Sequence, residues 1–300
     1  MADGMKPLGV AVVILVGLGG SAASAAERAA PPTFSEEERA VFFDDAFAAL
    51  EGERPDYSAP AAEQPTAIAP APATAGAWGD WIAADVVETE IKRQAAAIAE
   101  ATRSEPAFRA GGWRQTRDAA ALLGLMFRVA AEHDEPVRWQ AVAPRWSVSF
   151  AGAAAEIDSG APFQRAEALR DALAELVRGA RPEPPVTSNG SPAGRGVLMR
   201  RMELATGERL PETLVDRRSW RRGAADARHE AQLLAVLAEA LLAEGLEDAD
   251  DESYAAYARQ LREAASSLAT AAEGEDRAAA ATALEACQRS CAACHDDYRG

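Results

Sequence analysis

A chain of 300 residues is long enough for two ordinary domains, and a formal net charge of -16 with a pI near 4.7 argues against nucleic acid or anionic lipid as partners, since both are polyanions. Charged residues make up 26% of the chain and aromatic residues only 6%, with alanine abundant, a balance that favours helices over sheets. The expected fold class is therefore all-α.

The N-terminal stretch reads as a secretory signal over residues 1–25. Lys6 supplies the positive charge, Leu8 to Leu18 is apolar apart from glycines, and Ala23-Ser24-Ala25 has the small-x-small form of a cleavage site. The apolar run is shorter than the roughly 20 residues a permanent span needs, so an exported protein without a membrane span after signal removal is expected. Loss of Asp3 and Lys6 leaves the net charge unchanged.

Residues 26–75 read as an arm. Ser35-Glu36-Glu37-Glu38 fits a capping box, a short helix with Phe43, Phe47 and Leu50 on one side follows, and a Pro/Ala-rich linker runs from Pro55 to Pro72. Two four-helix-bundle-like modules in tandem are expected after it. The first covers 76–181, with helices near 78–103, 114–132, 137–157 and 163–179. Pro144 is expected to kink or divide the third of these. Pro182-Glu183-Pro184-Pro185 and Ser188-Asn189-Gly190-Ser191-Pro192 mark a linker over 182–194. The second module covers 195–300, with helices A to D near 195–209, 224–244, 252–272 and 276–298, each carrying an apolar stripe that can face a shared core. Trp113-Arg114 and Trp220-Arg221 stand before the second helix of each set, and Leu169, Leu173 and Leu176 share the 3-4-3 relation of the cysteines. Both suggest an internal duplication in which the first copy carries no haem, against the alternative of two unrelated helical bundles whose alanine-rich helices resemble one another by composition alone.

The chemistry is concentrated at the end. Cys291-Ala292-Ala293-Cys294-His295 is the C-x-x-C-H signature of covalent haem attachment. On a helix, positions i and i+3 put both sulfurs on one face, where they can meet the two vinyl groups along one edge of a porphyrin, and the adjacent histidine can bond the iron. Leu284, Cys287, Cys291, Cys294 and Tyr298 follow a 3-4-3-4 pattern, so the haem face is also the packing face. Other uses of the motif stay open at this level. A thioredoxin-like pair needs the start of a helix after a strand, a zinc site needs four converging ligands, and a structural disulfide leaves His295 without a role.

The terminal motif followed by Asp296-Asp297-Tyr298-Arg299, at the end of a four-helix segment, resembles the cytochrome c-prime family over about residues 195–300. The resemblance implies a periplasmic four-helix-bundle haem protein, with one haem c on Cys291 and Cys294 and His295 as the proximal ligand. It further implies that Tyr298 and Arg299 flank the proximal imidazole, and that Arg195 and Met199 of helix A stand on the distal side. There Arg195 would meet a haem propionate and Met199 would coordinate or cover the iron, with Met202 as its rival. A charge complementing the helix end is the plainer account of Arg299. Family members carry electrons or bind nitric oxide and carbon monoxide, and are often homodimers. The expectation is a non-enzymatic electron carrier with redox partner proteins, the alternative a five-coordinate haem protein for small gases. Cys287 is expected to be a buried apolar group, and His133 and His229 surface or packing residues.

Overall fold

The computed structural model describes residues 78–185 and 193–298, which fall within one compact unit spanning residues 68–300. The signal segment, the arm at 26–75, the segment 188–192 and Arg299 lie outside the described residues. No strand occurs among the described residues; helices joined by short turns make up the unit.

In the first half, α1 (Ala84–Ala101), α2 (Trp113–Glu132), α3 (Ala143–Glu156) and α4 (Phe163–Arg178) pack together, with α2 between α1 and α3. Phe127 of α2 stacks on Phe150 and Trp146 of α3 at centroid distances of 5.4 and 6.1 Å. Pro144 does not kink α3. It sits in the first turn, where its missing amide hydrogen is not needed, and the helix begins at Ala143 rather than 137. Gly179 ends α4 with φ 102°, a left-handed cap that glycine adopts without steric cost.

In the second half, α5 (Arg195–Leu204) runs through a wide π-type turn at Ala205–Arg209 into α6 (Leu210–Leu214). There follow α7 (Arg217–Ala240), α8 (Glu252–Glu273) and α9 (Arg277–Tyr298). Aspartates cap the last three helices: Asp216 accepts from Ser219 N, Asp251 from Ser253 N and Tyr254 N, and Asp276 from Ala278 N and Ala279 N. The cap at Asp216 starts α7 earlier than 224, so Trp220 lies inside its first turn rather than before it. Trp220 is buried, and its Nε1 donates to Glu275 O at 2.9 Å, tying α7 to the turn before α9.

The apolar side chains of both halves form one continuous cluster, from Trp78 and Phe108 to Leu284 and Cys287. The contact between halves is also polar. Ala83 N donates to Gln232 Oε1 at 3.1 Å, and Arg262 lies 4.8 Å from the centre of the Trp81 ring. Beneath these lies a buried charge cluster. Glu90 of α1 accepts from His229 Nε2 of α7 at 2.7 Å and from Gln94 Nε2 at 2.6 Å. Arg201 of α5 stands 4.0 Å from Glu90 and 2.7 Å from Glu230 Oε2, the latter an ion pair without hydrogen-bond alignment. His229 is thus a packing residue rather than a surface one. So is His133, which is buried after α2 with Nε2 2.9 Å from the Ile82 carbonyl.

Candidate functional site

A cavity of about 460 Å³ opens between α5, α8 and α9, within the range of sites that hold cofactors. From α9 it is lined by Cys291, Cys294, His295 and Tyr298, from α5 by Arg195, Met199 and Met202, and from α8 by Tyr254, Tyr257 and Leu261. The α9 motif and the two methionines, far apart in the chain, therefore stand on walls of one space.

Helix α9 carries the cysteines on the stripe that its spacing demands. Leu284 and Cys287 are buried, and Cys291, Cys294 and Tyr298 are half-buried against the core. Cys287 is fully enclosed, as a small apolar side chain would be, and burial pushes its thiol up to about 12. Burial likewise pushes Cys291 up to about 11 and raises Cys294, so all three are neutral thiols at physiological pH. No disulfide joins them. Among the described residues no three His, Cys, Asp or Glu side chains come together in an arrangement that could hold a metal ion, so the zinc alternative finds no ligand set there.

Hydrogen bonds between α8 and α9 hold the motif in place. Tyr257 Oη donates to Asp297 Oδ2 at 2.7 Å, Ser290 Oγ to the Tyr257 carbonyl at 2.9 Å, and Tyr298 Oη to Asp251 Oδ1 at 2.5 Å. The Tyr298 ring meets Tyr254 edge-on, with centroids 5.3 Å apart. The bond to Asp251 pushes the Tyr298 hydroxyl up to about 12, and the same bond with the Tyr254 amide lowers Asp251. Two of the residues after the motif, Asp297 and Tyr298, thus act as fasteners between helices.

On the opposite wall, Met202 is buried and Met199 half-buried, both facing the cavity. Arg195 is held at the rim by two carboxylates, Asp248 at 2.6 Å and Glu247 at 2.9 Å. Asp248 has a left-handed φ of 63°, a conformation aspartate tolerates better than most residues. Arg195 still has guanidinium N–H groups beyond those two contacts.

Tyr254 belongs to no motif that marks it as a site residue. Its ring lines the cavity, while its hydroxyl is buried with no acceptor, and Arg195 acts on it through charge and as a loosely placed donor. Burial raises its pKa, so it remains a donor without an acceptor. Three of the chain's four tyrosines fall in the last fifty residues, the one sequence signal that pointed here.

The donor set fits a haem. It offers two thiols three residues apart on one face, an imidazole beside them, two thioethers across the space, and at the rim the remaining N–H groups of Arg195. An all-helical frame with this donor set is the kind of site a covalently attached haem requires.

The family model described as Cytochrome C' matches residues 248–299, a stretch that takes in α8, α9 and the terminal motif. That C-terminal segment carries the cytochrome c-prime pattern; α5, with Arg195, Met199 and Met202, lies outside the matched region. The comparisons with curated proteins and with solved structures found no match.

Proposed function

We propose that the protein is an exported electron carrier with a single haem c attached through Cys291 and Cys294. The observation that supports this is the convergence of both thiols, His295 and two methionines on one cavity. Haem supplies one-electron exchange between ferric and ferrous iron, and an iron position that can also take small gases. The chain's part is to bind, orient and exclude water. Cys291 and Cys294 would hold the haem, each thiol adding across one vinyl double bond with sulfur to one carbon and hydrogen to the other, His295 would supply the ligand beside them, and Met199 or Met202 would stand across the cavity from it. Arg195 and Tyr254 offer N–H and O–H donors at the carboxylate-bearing edge.

Periplasmic location is supported by the signal-like residues 1–25 and by the attachment chemistry typical of the family. Among the described residues no helix is long and apolar enough to cross a membrane. Redox partner proteins would dock where the motif approaches the surface, near the exposed Asp296 and Asp297, and a homodimer is the family's common assembly.

The test is an absorption spectrum of the exported protein in both oxidation states, with a denaturing-gel haem stain of wild type, Cys291→Ser and Cys294→Ser. A low-spin six-coordinate reduced spectrum lost on replacing Met199 or Met202 supports electron transfer. A high-spin spectrum that shifts on adding carbon monoxide supports gas binding instead. A colourless product with the mass of the bare polypeptide sinks both readings.

A further inference from the structure

Helix α5 is a wall shared by the cavity and the first half of the chain. Arg195, Met199 and Met202 line the cavity, Arg201 lines a groove against α1, α2 and α7, and Arg200 stands between the two and lines both. Arg200 forms a fork on Asp118 of α2, with Nη2 at 2.8 Å from each carboxylate oxygen and Nε at 3.0 Å from Oδ2. Arg201, its side chain 4% exposed, reaches Glu230 of α7 at 2.7 Å and Glu90 of α1 at 4.0 Å.

The Arg195–Leu204 segment buries two apolar side chains of its own, Leu198 and Met202; it is tied at its start by the Arg195 pairs with Asp248 and Glu247 and continues through the π-type turn into α6. The Arg201 guanidinium is enclosed with Nε, Nη1 and Nη2 all lacking aligned acceptors, which costs stability that an apolar filler would not.

We propose that Asp118 and Glu90 of the first half position α5 through Arg200 and Arg201, and so set how closely the methionine-bearing wall approaches the ligand side of the cavity. The haem-less helices are then a brace for the distal wall, and Arg200 and Arg201 are positioning residues. This rests on the haem reading above.

The experiment uses the haem-loaded full chain and compares wild type with Arg200→Asp, Asp118→Arg, the double exchange, Arg200→Lys, and Glu100→Gln as a control at the C-terminal end of α1, where Glu100 pairs with Arg103. The readouts are the carbon monoxide association rate of the ferrous protein, the absorption spectrum in both oxidation states, and the melting temperature. Each charge reversal should change the rate about two- to five-fold, the range that an exposed ion pair supports. The double exchange should restore the wild-type rate. Arg200→Lys, which keeps the charge and loses the fork, should fall between, and Glu100→Gln should match wild type. Haem-loaded single variants with wild-type rates and spectra overturn the brace. So does a double exchange that fails to restore what the single variants changed, and so do rates that follow only the melting temperature, because a brace moves the rate and spectrum of protein that is still folded and haem-loaded. A chain that takes up no haem overturns the haem reading and the brace with it, and the stain distinguishes that result from the others.

Discussion

Removal of the Glu90 carboxylate tests whether the two halves are joined through their buried charges. Glu90 is 1% exposed, takes hydrogen bonds from His229 at 2.7 Å and Gln94 at 2.6 Å, and is the second anion near Arg201. Glu90→Ala leaves His229 without its acceptor and Arg201 with Glu230 alone, and breaking a buried pair in this way costs roughly 3–5 kcal/mol. For a unit of this size each kcal/mol lowers the melting temperature by about 2–4 °C, so a fall of about 6–20 °C is expected by calorimetry or circular dichroism. Glu90→Gln, which keeps the shape, should cost less. The acid limb gives a second reading. Burial works to raise the Glu90 pKa, but the hydrogen bond from His229, the charge of Arg201 and the hydrogen bond from Gln94 outweigh it and hold the carboxyl below its ordinary 4.5. Its contribution is therefore full above that value and is lost as pH falls through the depressed folded value. The gap between wild type and Glu90→Gln should be widest near neutrality and close as the solution is acidified below 4.5. A melting temperature within about 2 °C of wild type for Glu90→Ala, or a gap that stays constant from neutral to acid pH, refutes the reasoning.

In haem-free protein, Tyr254→Phe should be neutral or stabilising by about 1 kcal/mol, because the hydroxyl it removes is buried without an acceptor; in haem-loaded protein it should be destabilising, and equal thermal shifts in the two forms would count against an occupant bonded to it. Maleimide labelling of folded haem-free protein should modify Cys294 before Cys291 and leave Cys287 untouched until the chain unfolds; early loss of the Cys287 thiol would contradict its burial. Tyr298 should be among the last phenols to ionise, at about 12, since Asp251 accepts from its neutral form. Its support for the α8–α9 junction is complete below the ordinary tyrosine value of 10 and fades as pH rises towards 12; a difference spectrum unchanged by Tyr298→Phe in that window would remove the bond.

Local patterning was enough to read the helical class, the positions of most helices, and the face of α9 that carries Cys291 and Cys294, because helical periodicity and the C-x-x-C-H spacing belong to neighbouring residues of the chain. Met199 and Arg195 could be named from a resemblance and a four-residue spacing. Met202 was also named, as the rival to Met199 one turn on; that Arg195 is clasped at the rim by Glu247 and Asp248 emerged only from the folded arrangement. The pairing of Arg200 with Asp118, the burial of His229 against Glu90 and the orphaned Tyr254 hydroxyl were equally beyond reach of the sequence. Each depends on which helix lies beside which, and that is settled by how the apolar stripes of both halves close over one shared core rather than by any spacing along the chain. A short helix such as α5 shows the division most clearly: its residues announce a helix with methionines and arginines, and its neighbours in space select which of them meet the cavity and which meet the brace.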